Sequence, residues 1–209
     1  MAAVIAALGA ASCRPAAPPP TANAAAVAAA TRPVDAAGGI DGVGVKSPLD
    51  AQLFRAVAAN DSDAAIRLIE SGAEVNASDM LKRTPLYSAA FHNRTELGKL
   101  LLAHGGRTDV RDMTGLTVLD ASVIAGSIGM VRLLISSGAD INARSETGKT
   151  ALHFAAAIGA TEIARLLITD GADTSIKDIY GDTAASLGTR NRQTATVALI
   201  NAKVRRTSP

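Results

Sequence analysis

TALHFAAAIGATEIARLLITDGAD, residues Thr150 to Asp173, holds one full cycle of a pattern that organises the chain. A threonine opens it, small and apolar residues run through Ile158, Gly159 interrupts, a second apolar run reaches Ile168, and Gly171 closes it. The same punctuation recurs at a spacing of 33 residues: Gly72, Gly105, Gly138 and Gly171, and likewise Thr84, Thr117, Thr150 and Thr183. A threonine hydroxyl caps a helix by accepting a backbone N–H, and glycine adopts the left-handed backbone that tight turns and helix ends need. Each unit therefore reads as turn, helix, loop, helix. In the unit opening at Asp112 the pattern predicts a first helix from Val118 to about Ala125, a turn at Gly126, a second helix over Ile128 to Ser136 and a C-cap at Gly138.

Thr150, Ala151, Leu152, His153, Ala155 and Ala156, then Leu166 and Leu167, then Gly171, Ala172 and Asp173 resemble the ankyrin-repeat pattern T-P-L-H-x-A-A … L-L … G-A-D, and 33 residues is that family's period. The resemblance covers about Lys46 to Ala202 and implies an all-α ankyrin-repeat solenoid of stacked helix-loop-helix units joined by β-turn or hairpin connections. Five units follow from the period: 46–78, 79–111, 112–144, 145–177 and 178–202. The end units depart from the pattern, with Ala51-Gln52 in place of Thr-Pro in the first and Ala184, Ala185 and Ser186 in the last, as solubilising caps do. Among the inner units Lys82 replaces the turn glycine, so the turn at Asp79 is expected to be less regular. Leucines such as Leu133 and Leu166 are expected in a core shared between neighbours, each costing about 2–5 kcal/mol if truncated.

Composition agrees: 48% of residues are hydrophobic but 2% are aromatic, so any core must be aliphatic and close-packed. A formal charge of +2 lacks the electrostatic footprint of a nucleic-acid binder, and nucleic acid is not an expected partner. With a single cysteine, Cys13, neither an internal disulfide nor a four-thiolate zinc site can form.

Met1 to Ser12, MAAVIAALGAAS, has the apolar character of a secretory h-region and is too short to span a bilayer. Ala10, Ala11, Ser12 and Cys13 resemble a degenerate bacterial lipobox, which implies a leader over 1–13, lipidation at Cys13 and a periplasmic or membrane-anchored product. The alternative is a retained alanine-rich N-terminus on a cytoplasmic protein. Residues 14–45, rich in Pro, Ala and Gly, read as a linker, and 203–209 as a basic tail.

Chemistry is sparse. His153 takes the family's structural histidine slot, which Tyr87 and Asp120 fill in neighbouring units, and each of the three can form a hydrogen bond. His92 and His104 lack ligand partners at metal-binding spacing, the glycines compose no phosphate loop, and no nucleophile elbow is present. No catalytic residue, metal or cofactor is expected, so the reading is of a protein that is not an enzyme.

Ankyrin arrays commonly hold a protein partner on a concave face of turn tips and first-helix flanks. Carried over by position, that face comprises Met80, Leu81, Arg83, Phe91, His92, Arg111, Met113, Leu116, Ile124, Arg144, Lys149, Ile158, Lys177, Ile179 and Tyr180. The apolar members would form a stripe exposed without structural need, edged by a basic column of Arg111, Arg144 and Lys177. A protein partner bound by a monomeric array follows, with membrane contact only through Cys13. An envelope-tethered immunity or inhibitor protein, a spacer, and a cytosolic scaffold remain as alternatives.

Overall fold

A computed structural model describes Val45 and residues 47–207, with side chains through Lys203. The leader 1–13, with Cys13, and the linker 14–45 apart from Val45 lie outside the described residues. Ten helices form among those described, in pairs: α1 (Pro48–Ala59) with α2 (Ser62–Glu70), α3 (Pro85–Phe91) with α4 (Thr95–Ala103), α5 (Val118–Ile124) with α6 (Ile128–Ser136), α7 (Ala151–Ile158) with α8 (Thr161–Thr169), and α9 (Ala184–Arg190) with α10 (Thr194–Thr207). First helices pack against first helices and second against second, each chiefly on its sequence neighbours, which makes two rows of an all-helical solenoid.

The caps are those the sequence offers. Thr84, Thr117 and Thr183 accept the N–H of the third helical residue through their hydroxyls at 3.1–3.3 Å. Gly126 and Gly138 take positive φ where the helices end. Two series of residues at the repeat spacing fill the space between the rows: Leu53, Leu86, Leu119 and Leu152, and Leu101, Leu134, Leu167 and Ile200. All eight are almost wholly buried, in one continuous core that runs through the units. Leu166 is buried as expected, whereas Leu133 is only half-buried, beside the tight seat that Met130 makes on Gly98. A Cβ on Gly98 would lie 2.6 Å from the Met130 methyl, so the Met130 side chain sits directly on the bare Gly98 backbone and would have to shift to admit a larger residue.

Both ends differ from expectation. The first helix opens one turn before Ala51-Gln52, because Ser47 caps it, its hydroxyl accepting the Asp50 N–H at 3.2 Å, and Pro48 supplies a first-turn residue that needs no donor. The last helix runs to Thr207, past Ala202 and into the basic tail.

The turns between units share one design. Asp79, Asp112, Ser145 and Asp178 each donate their N–H to, and accept at their side chain from, the residue four positions on: Arg83, Leu116, Lys149 and Asp182. The residue before each of those four has positive φ. Lys82 is one of them, at φ 59°, and the Asp79 turn nevertheless keeps the full set of bonds. The left-handed residue costs about 1–2 kcal/mol, and the half-buried Arg83 guanidinium, 2.7 Å from Asp79 Oδ2, helps hold the loop closed.

Candidate partner-binding face

Successive turns hold their tips in register. The Met113 N–H donates to the Leu81 carbonyl at 2.9 Å and the Ile179 N–H to the Thr147 carbonyl at 3.1 Å. In the three turns anchored by an aspartate, apolar residues just after the anchor stand outward: Met80 is 62% exposed, Met113 53%, Ile179 61% and Tyr180 69%, whereas the Ser145 turn has Glu146 and Thr147 there. Leu81 and, on the flank of α7, Ile158 are exposed too. These are six of seven large apolar side chains left open among the described residues, the seventh being Ile128 on the other helix row. The open surface is therefore concentrated at turn tips rather than scattered.

Several expected members of the face lie elsewhere. Leu116 is 7% exposed and Lys149 8%, because the turn folds its fifth residue back over the core through the bond from the first. Lys149 still meets the face at one point, its ammonium 5.8 Å from the Tyr180 ring centroid, within cation–π range. Arg83 is half-buried on Asp79. Phe91 and Ile124 pack against the core, and His92 is half-buried beside Phe91, its Nδ1 2.9 Å from the Ser88 carbonyl.

The basic column is present but partly committed to the fold. Arg111 donates through one guanidinium nitrogen to the Gly115 and Arg144 carbonyls, and Arg144 donates to the Lys177 carbonyl at 2.8 Å. Each arginine thus staples its own unit to the one after it, across 33 residues. Two asparagines absent from the expected face also link successive units. Asn76 bridges to Gly105 and Arg107, and Asn142 to Gly171 and Asp173. They stand two 33-residue periods apart, with Asp109 at the same position between them pairing instead with Arg107, and that register is the signal that could have revealed them.

The slot of Tyr87, Asp120 and His153 is structural in all three units. The Tyr87 hydroxyl donates to Asp112 Oδ2 at 2.9 Å, and burial beside that carboxylate keeps the phenol neutral. The Thr150 N–H and hydroxyl both approach His153 Nδ1, which makes Nδ1 the acceptor and leaves Nε2–H to donate to the Asp182 carbonyl at 3.1 Å. Burial lowers the affinity of His153 for a second proton, so the ring is held neutral. Asp120 Oδ2 accepts from the Thr117 N–H and hydroxyl, a capping box.

Among the described residues no group of three His, Cys, Asp or Glu is placed to hold a metal ion, and no helix is long and apolar enough to cross a membrane. Comparison with protein families settles what the solenoid is. A family model described as ankyrin repeats (3 copies) matches residues 53–145, and one described as ankyrin repeats (many copies) matches 134–187. The chain belongs to the ankyrin-repeat family. No curated protein matches it as a relative. The matches begin at Leu53 and end at Leu187, so the extra turn that opens α1 and all of α10 lie outside them, in the two units whose sequences depart from the ankyrin pattern. Ankyrin repeats are in general protein-interaction modules, and the exposed turn tips of this ankyrin array are where its apolar surface is open.

Proposed function

We propose that this ankyrin array is a non-enzymatic binding module that holds one protein partner on its turn tips and first-helix flank, in the bacterial envelope. The observation that carries the reading is the contrast in the Asp112 and Asp178 turns: Met113, Ile179 and Tyr180 are open while the fifth turn residues Leu116 and Asp182 are folded inward, and Met80 is open in the Asp79 turn beside a half-buried Arg83. An apolar row of this kind marks a contact surface more often than a solvated one. Arg111, Arg144 and Lys177 stand exposed beside it and favour a partner whose apolar ridge is edged with carboxylates. Export through residues 1–13, with lipid attachment at Cys13, would place the array beside a membrane.

The test is co-purification of the full chain from its native cells, read by mass spectrometry, beside a variant carrying Met113→Asp and Tyr180→Asp. Both positions are exposed, so the variant should fold with unchanged circular dichroism and melting temperature. One protein following the wild type and lost with the folded variant is the expected result. The same set of proteins following both forms would remove the turn tips from the function. The intact mass of the wild type in that preparation reads the leader at the same time, an N-terminal Cys13 bearing lipid being expected and a chain that retains Met1 excluding export.

A further inference from the structure

Methionine is an apolar side chain that a mild oxidant makes polar. The chain has four, and Met80, Met113 and Met130 lie among the described residues. They fall into two environments. Met130 is wholly buried, its thioether lying against the bare backbone of Gly98 between the second helices of successive units. Met80 and Met113 are each more than half exposed, and they stand on neighbouring tips, joined by the bond from the Met113 N–H to the Leu81 carbonyl at 2.9 Å. Neither turn needs its methionine side chain to keep its shape. Asp79 Oδ1 accepts from the N–H groups of Leu81 and Arg83, and Asp112 Oδ1 from those of Thr114 and Leu116, so carboxylates hold both loops closed.

We propose that Met80 and Met113 form a paired site of reversible oxidation by peroxides, and that conversion of both thioethers to sulfoxides turns this end of the apolar face polar and releases the protein held there while the fold is kept. The release rests on the binding role proposed for the turn tips; the site itself does not. The step balances. A lone pair on sulfur takes one oxygen of hydrogen peroxide, an S–O bond forms as the O–O bond breaks, and the departing hydroxide takes up the remaining proton and leaves as water. Sulfur loses two electrons and the peroxide gains them. In reverse, a dithiol supplies two electrons and two protons, becomes a disulfide, and the oxygen leaves as water. A sulfoxide oxygen is an acceptor that an apolar contact leaves without a donor, so the oxidised tips favour water over a buried contact. Peroxide reaches Met130 only when the units open, so an oxidant that alters the surface spares the core.

The experiment treats the full chain with hydrogen peroxide at neutral pH and maps the oxidised peptides by mass spectrometry over time. Met80 and Met113 should each gain one oxygen about tenfold faster than Met130, or more, with circular dichroism and melting temperature unchanged. Equal rates at all three, or loss of the fold as the two tips are oxidised, would overturn the site. Retention on a phenyl matrix reads the surface. It should fall on oxidation, return after treatment with methionine sulfoxide reductases for both sulfoxide epimers and dithiothreitol, and be untouched by peroxide in a variant carrying Met80→Leu and Met113→Leu. An equal fall in the variant would assign the change to other groups and overturn the proposal. Co-purification from native cells reads the release: a protein captured by the untreated chain should be lost from the oxidised one and recovered after reduction. Undiminished capture would overturn the release. An untreated chain that captures no protein would instead overturn the binding reading, while mapping and retention still decide the site.

Discussion

Asp120 and His153 stand 33 residues apart on the first helices of successive units, each bonded to the threonine that caps its own helix. His153 has two ring nitrogens with opposite roles, so it accepts at home and donates abroad. Asp120 has two acceptors, and one of them is left without a donor. The same scaffold position therefore yields opposite responses to acid. Burial lowers the proton affinity of His153, so its contribution to stability is present above pH ~6.5 and is lost as the pH falls through its folded value. Burial raises the proton affinity of Asp120, so its contribution is present in acid and is lost as the pH rises through about 7. A solenoid whose units are alike in backbone is thus made of joints that differ in chemistry.

The largest effect serves as the control for this contrast. Leu119 and Leu152 precede the two slot residues by one position, in equivalent places in the core. Leu119→Ala and Leu152→Ala should each cost about 2–5 kcal/mol in denaturant unfolding, with the wild-type pH dependence retained in both. A pH slope that vanished with either leucine would mean that general packing, not the slot, sets the response. Asp120→His makes the third unit like the fourth and should stabilise the array by ~1–3 kcal/mol at pH 8, by replacing an orphaned acceptor with a donor. It should also reverse the sign of the local response, the joint now weakening as pH falls below about 6.5. A variant that still weakens on the alkaline side would break the comparison. Arg144→Ala tests a staple that does not titrate. It should cost about 0.5–1.5 kcal/mol for the lost bond to the Lys177 carbonyl, equally at pH 6 and 8.

The helices and their caps were legible because they depend on residues close in the chain. α6 spans Ile128–Ser136 as the apolar run and Gly138 imply, and α5 ends at Ile124, one residue before the expected limit. Ser47 and Pro48 also carry a capping signal, but the period directed attention to Ala51 and Gln52, one turn later. The face was harder to read. Arg83, Leu116, Lys149 and Asp182 occupy one register position with four chemistries, so no apolar pattern shows that the position turns inward. The cause is a side-chain bond from the first turn residue to the fifth N–H, which sequence spacing alone does not display. Likewise the charge of Arg111 and Arg144 was visible, while the carbonyls that engage them lie a full period away.

Because first helices meet chiefly first helices and second helices meet second, the units are coupled in series. A pull applied at the two ends of the array would pass through every joint in turn, and the weakest would yield before the rest felt their limit. The joint beside Asp120 keeps the Arg144 and Asn142 bonds but not the slot bond that Tyr87 and His153 provide on either side of it. Under tension the array would yield first where the fewest hydrogen bonds cross among the described residues, between the first and second units, whose crossing bonds are those of Asn76, so the first unit would peel away while the arginine-stapled middle of the stack still held.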